Sequence, residues 1–156
     1  MSSRVLCDFE TYLSDAIIPL RFSCLDLNGR PVVLSLWYTM DEGELCCATP
    51  STARVVRYLQ NDDRCAFEVA SDEAPYCGVR GRGKAKLVPE EGAPILERLL
   101  MRYIGDVQHP LSRELLSKRE LEMGIRIKPE SLTSWDFSQR MKDVPGANPG
   151  KPCPGS

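Results

Sequence analysis

Residues 31–62 read PVVLSLWYTMDEGELCCATPSTARVVRYLQND, and the order of elements in this stretch decides the fold. Residues 31–38 are nearly continuously apolar, which predicts a strand buried on both faces. Asp41-Glu42-Gly43 is a tight turn, and residues 44–49 return as the next strand. Thr49-Pro50-Ser51-Thr52 breaks the sheet. Over 53–60, Val55, Val56 and Leu59 then share one side of a short amphipathic helix, with Ser51 or Thr52 placed to cap it. Thr49, Ser51, Thr52 and Arg54 thus fall within one turn of a helix start. Hydroxyls, unpaired backbone N–H groups and a guanidinium there can hold a phosphate. Plain helix capping uses the same residues without any ligand.

Working outward, Ile18, Leu20, Phe22 and Cys24 alternate with polar residues as a half-buried strand. Asn28-Gly29 follows, a hairpin signal whose two central residues are expected at positive φ. Earlier still, Val5, Phe9, Leu13 and Ile17 recur at helical spacing and predict a short helix closing one end of the fold. Downstream, Cys65, Phe67 and Val69 mark a fourth strand, and residues 76–88 a long fifth one. On one of its faces lie Val79, Gly81, Gly83 and Ala85, small enough for a close approach by backbone, by ligand or by a curved wall. The other face is a basic stripe of Arg80, Arg82, Lys84 and Lys86, which suits a solvated or charge-guarded edge as well as a ligand. Leu96, Leu99, Leu100 and Tyr103 at helical spacing predict a helix over 94–104, another is predicted over 110–118, and a sixth strand over 121–127. The Pro- and Gly-rich residues 142–156 read as a loose tail. The fold class is therefore mostly β, a six-stranded antiparallel barrel decorated by helices, in one domain over 1–141.

Composition narrows the chemistry. With 156 residues, 42% hydrophobic and 27% charged, the chain has enough apolar material for one core. A net charge of −2 gives no global attraction to nucleic acid or anionic membrane, so any anion site must be local. No apolar run approaches the roughly 20 residues of a membrane span. The polar opening MSSRVLCDFETYLSD does not resemble a signal peptide, and a cytoplasmic location is expected. The lone histidine, His109, excludes a histidine-based metal cluster and leaves little for a nucleophilic triad. No metal site is expected. Seven cysteines include no C-x-x-C pair, and adjacent Cys46 and Cys47 should point to opposite faces of a strand. They read as small hydrophobes in a reduced chain. GVRGRG alternates with basic residues as a strand interior does and is not a phosphate loop.

One resemblance rests on several motifs in order. Trp37-Tyr38 ends a strand, Asp41–Gly43 turns, and Thr49 ends the next strand. Arg54 starts a helix that runs to Leu59 and Asn61-Asp62. Gly83-Lys84-Ala85 lies in the long strand, and IKPESLTSWDF closes the pattern with Trp135. Together they resemble the pyridoxamine 5′-phosphate oxidase-like, FMN-binding split-barrel family over residues 18–137. The resemblance implies a homodimer with cofactor sites at the interface. FMN is the usual cofactor, with the deazaflavin coenzyme F-420 or haem in related branches. It further implies that Val33, Leu34, Ser35, Leu36 and Trp37 line the flavin ring and that Thr49, Ser51 and Arg54 hold the phosphate. Arg80 would add a basic contact, and Trp135 would approach from the partner subunit. The vitamin B6 oxidases carry Arg-Lys where this chain has Arg54-Val55, a Gln where it has Gly78, and a C-terminal Arg-x-His motif that it lacks. Oxidation of pyridoxamine phosphate is therefore not expected. The implied activity is a flavin- or deazaflavin-dependent oxidoreductase passing hydride to or from a small organic substrate. A non-catalytic flavin or haem binder is the alternative, and a barrel binding single-stranded nucleic acid through residues 80–86 is a more distant one.

Overall fold

The structure is a computed structural model describing residues 3–148 and 153–154, with side chains from Phe9 onward. Seven strands are present: β1 (Leu20–Leu25), β2 (Pro31–Leu36), β3 (Thr39–Asp41), β4 (Glu44–Pro50), β5 (Arg64–Ala70), β6 (Cys77–Val88) and β7 (Glu122–Asp136). The helices are α1 (Ser3–Asp15), α2 (Arg54–Asn61), α3 (Gly92–Tyr103) and α4 (Pro110–Leu116). All seven strands form one antiparallel sheet in the order β2-β1-β5-β6-β7-β4-β3.

The seventh strand arises because the apolar run over 31–38 is not one strand. It breaks at Trp37-Tyr38, so that β2 pairs with β1 while β3 pairs with β4. These are the two edges of the sheet. Laid flat, seven strands would hold their edges about 29 Å apart, at ~4.8 Å per gap. Leu36 and Thr39 are three residues apart and so within about 11 Å. The sheet therefore curls until its edges meet at this corner, and with no ladder joining β2 to β3 it stays open there. The expected burial of β2 on both faces is not found: Pro31, Val33 and Ser35 are exposed, Val33 by 70%. An edge strand has one lateral neighbour, and no described helix covers the outward face of this one.

Leu20, Phe22, Leu45, Cys47, Phe67, Val69, Val79, Ile125 and Ile127 point inward from their strands and form the main core. Gly81 and Gly83 make the curvature possible: a Cβ on Gly81 would stand 2.5 Å from Phe67 Cζ, and one on Gly83 would strike the Lys128 carbonyl. Of the three readings of that small-residue face, close approach by backbone is found at Gly83, against Lys128, while the Phe67 ring packs on Gly81. The last strand is longer than predicted. β7 continues past Ile127 to Asp136, paired with β6 through a bulge opposite Arg82 and Gly83. Beside the bulge stands Pro129, a residue with no N–H to give the ladder.

The turns differ from expectation in an instructive way. At Asn28-Gly29 only Gly29 has positive φ, at 75°. Asp26 Oδ1 accepts from the Asn28 and Arg30 N–H groups at 2.8 and 2.9 Å and widens this turn. The two-residue turn with both central residues at positive φ is Glu42-Gly43, at 50° and 79°. The cap of α2 also differs. Ala53 occupies the N-cap position with no side-chain bond, because the Ser51 N–H is drawn to the Leu121 carbonyl and a turn closes from Pro50 to Ala53.

One end of the curled sheet is closed by α1. Phe9 and Leu13 are buried as their spacing predicts, whereas Ile17 lies beyond the helix end and is 59% exposed; the side chain of Val5 lies outside the described residues. Arg102, on α3, donates to the Leu13, Ser14 and Ala16 carbonyls at 3.1, 2.6 and 2.7 Å, satisfying the C-terminal carbonyls of α1. Tyr38, at the corner between the sheet edges, donates to the Leu13 carbonyl at 2.6 Å. Burial pushes its phenol well above the ordinary range. The C-terminal stretch read as loose is tied in two places. The Asn148 N–H bonds the Ala74 carbonyl at 3.2 Å, and a disulfide joins Cys153 to Cys77 where a wholly reduced chain was expected.

Candidate functional site

Strand register assembles the outward face of the sheet into two rows. One runs Ser35, Arg21, Glu68, Arg80, Thr133; the next runs Val33, Ser23, Ala66, Arg82, Ser131. Between them lies a cleft of about 580 Å³, with Val33, Ala66, Gly81 and Leu132 among its apolar lining. Three guanidiniums meet one carboxylate here. Arg80 Nε lies 3.8 Å from Glu68 Oε2, and Arg21 Nη1 donates to Ser35 Oγ at 3.2 Å. Arg82 has no ion-pair partner among the described residues. Arg80 also stacks over the Trp135 ring, 5.6 Å from its centroid, and Trp135 Nε1 is buried without a hydrogen-bond partner. Phe137 extends this aromatic surface, its ring centroid 5.3 Å from that of Trp135.

The residues singled out from sequence separate into four places. Val33, Ser35, Arg80 and Trp135 belong to or border the cleft face. Leu34 and Leu36 turn inward to the core, which leaves only their backbone to any ligand outside. Trp37 stacks on Tyr103 at 4.9 Å and packs with Cys46, Ile95 and Leu99 under α3. Thr49 is 8% exposed at the end of β4, while Ser51 and Arg54 are exposed near the start of α2. Arg54 lines a separate shallow depression with Arg57, Tyr58 and the turn residues Asp26, Leu27 and Asn28. Within one chain Arg54 and Arg80 therefore line different depressions.

Arg21, Ser23, Arg82, Ser131 and Thr133 are the site residues that sequence reasoning did not assign. Their types gave a signal only for Arg82, as part of the basic stripe; the others join it through register. The buried free cysteines Cys24, Cys46, Cys47 and Cys65 are not among the cleft-lining residues. Cys46 faces α3 and Cys47 the main core, on opposite sides of β4 as the strand period requires. Burial raises both thiols, and burial with nearby Cys24 pushes Cys65 up to about 12, which disfavours the thiolate form. Among the described residues no group of three or more His, Cys, Asp or Glu is arranged to hold a metal ion. No helix among them is long and apolar enough to cross a membrane.

No protein-family model and no curated protein sequence matches the chain. Solved structures do. A conserved hypothetical protein from Mycobacterium tuberculosis, Rv2991, superposes with a TM-score of 0.71 at 22% identity, over 97% of this chain and 93% of that one. A structure described as an F420 reductase gives 0.68 at 19%, over 80% and 95%. The haem storage protein HutZ from Vibrio cholerae gives 0.60 at 16%, over 86% and 94%. The chain shares its fold with these proteins across nearly their whole length.

Proposed function

We propose that this chain is a split-barrel oxidoreductase of the pyridoxamine 5′-phosphate oxidase-like kind that binds FMN or a deazaflavin between two copies of itself. The observation that carries the reading is the Arg-lined cleft beside Trp135 on a fold shared with a protein described as an F420 reductase. The residues present fit such a group. An apolar floor of Ala66 and Gly81 admits a flat ring, Arg80 beside Trp135 offers a basic contact, and the Trp135 N–H is an unused donor.

When bound, such a cofactor supplies hydride transfer to or from a small organic substrate. The chain's own part is binding, orientation and exclusion of water. Thr49, Ser51 and Arg54 of one copy would hold the phosphate, and the backbone of residues 33–37 would border the ring. Arg80 and Trp135 of the partner subunit close over it. The separation of these two groups within one chain supports a site completed by a second copy. Similarity to a haem storage protein favours a second reading, a binder without turnover.

The visible spectrum of freshly purified protein, with mass analysis of any released chromophore, tests the cofactor. Titration with FMN and with the deazaflavin follows. Arg54→Ala and Arg80→Ala are each expected to weaken binding at least about tenfold, since a charged hydrogen bond contributes roughly 1.5–3 kcal/mol. A colourless protein that takes up neither cofactor would remove the proposal. Binding without reduction of any acceptor would leave the storage reading.

A further inference from the structure

The disulfide between Cys77 and Cys153 fastens a segment that burial alone would hold weakly. Residues 138–148 form turns without helix or strand, and none of them is buried. Ser138, Met141 and Ala147 are half-buried, and with Pro75 they line a depression of about 200 Å³. The Tyr76 N–H donates to Met141 Sδ at 3.5 Å, and the Asn148 N–H to the Ala74 carbonyl at 3.2 Å. So little apolar burial gives little cooperative stability, which leaves much of the ordering to the covalent tie. Cys77 opens β6 beside Gly78, whose partner across the sheet is Trp135. The Phe137 N–H bonds the Tyr76 carbonyl at 3.0 Å, so the tie sits at the root of the Trp135–Phe137 surface.

We propose that Cys77–Cys153 is a reversible thiol–disulfide latch. Oxidised, it straps residues 138–148 against the loop at Ala74–Tyr76, beside Trp135; reduced, it frees them while the barrel stays folded. Neither cysteine packs in the main core or under α3, so opening the bond leaves both clusters intact. Cys24, Cys46, Cys47 and Cys65 remain free thiols. One disulfide beside four unpaired cysteines suits a redox-responsive pair better than a stapled framework, in which the cysteines are paired throughout. Cys153 is 7% exposed and Cys77 fully covered, so a dithiol reductant meets the Cys153 sulfur first. Its thiolate attacks Cys153 Sγ, the S–S bond breaks, and the Cys77 sulfur leaves with the electron pair and takes up a proton. The second thiol of the reductant then displaces Cys153, which also gains a proton, and the reductant ends as a disulfide. Two electrons and two protons pass in all, and oxidised glutathione closes the bond by the reverse steps.

Limited trypsin digestion of the full chain, with oxidised glutathione or with a dithiol reductant, tests the latch, because Arg140 and Lys142 are exposed within the strap. Alkylation after denaturation, with mass analysis, shows which cysteines were free, and circular dichroism follows the fold. Under oxidised glutathione Cys77 and Cys153 should resist alkylation. Under the reductant both should be modified, and cleavage at Arg140 or Lys142 should rise about tenfold or more with the dichroism unchanged. Cys153→Ser is expected to be cleaved at the faster rate in either buffer. Trp135 emission should shift on reduction of the wild type and stay constant in Cys153→Ser.

Faster cleavage that oxidised glutathione reverses, with the fold retained, supports the latch whether or not the chain binds a flavin. Free Cys77 and Cys153 thiols under oxidised glutathione overturn it. Loss of the dichroism signal on reduction overturns it too, since the bond is then a cross-link that the whole fold needs. Failure of both Cys153→Ser and Cys153→Ala to fold has the same meaning. Equal cleavage rates in the two buffers also overturn the proposal.

Discussion

The two halves of one curled sheet present opposite solutions to the same problem. On β3, β4 and β7 the outward face is covered by α3, where Ile95 and Leu99 pack on Cys46 with Trp37 and Tyr103 alongside. On β2, β1, β5 and β6 the outward residues are Val33, Ser23, Ala66 and a set of charged side chains, and no described helix covers them. The first half is finished by intramolecular burial. The second keeps guanidiniums in water, at a place where a ligand or a second copy can use them. Even the charges differ: Arg126 on the covered half is ringed by Asp41, Glu91 and Glu44 at 2.6, 2.7 and 3.3 Å, whereas Arg82 on the bare half has no such ring among the described residues.

Substitutions can break this contrast. Leu99, 1% exposed under α3, should be the most sensitive position: Leu99→Ala is expected to cost about 2–5 kcal/mol in denaturant unfolding. A loss below about 1 kcal/mol would show that α3 is a loose cover. Next comes Arg102→Ala, which removes three hydrogen bonds at the end of α1 and leaves the Leu13 and Ala16 carbonyls to the Tyr38 hydroxyl alone. About 1.5–3 kcal/mol is expected, with amide exchange rising in α1 before the strands. Uniform exchange across the chain would argue against Arg102 as a local latch.

Acid should act on the covered half. Asp41 is held below the usual carboxylate range chiefly by its hydrogen bond from Arg126. A depressed folded-state value means that its contribution is present above the unfolded value of roughly 3.9 and is lost as pH falls through the folded one. The stability difference between wild type and Arg126→Ala should therefore shrink as unfolding is measured from about pH 6 down towards about pH 2. A constant difference would remove Asp41 from the coupling. The smallest effect belongs to the bare half: Val33→Ala should change the stability of the monomer by less than about 0.5 kcal/mol. A larger loss in monomeric protein would mean that the face is not bare in solution.

The sequence by itself determined the local elements. Alternation at Leu20, Phe22 and Cys24, and at Cys65, Phe67 and Val69, fixed which side of each strand is apolar, and helical spacing at Leu96, Leu99 and Leu100 fixed the buried side of α3. Opposite burial of Cys46 and Cys47 followed from the strand period alone. These features depend on residues a few positions apart, where one chain geometry dominates. Tertiary structure decided the rest. The break at Trp37-Tyr38 is invisible in an apolar run, because only the closing of the sheet sends its two ends to opposite edges. The meeting of Arg21 with Arg80 depends on register across β1, β5 and β6, and the pairing of Cys77 with Cys153 joins residues 76 positions apart. Such contacts are set by how strands slide and curl against one another, a choice made by packing of the whole core and not by any local preference.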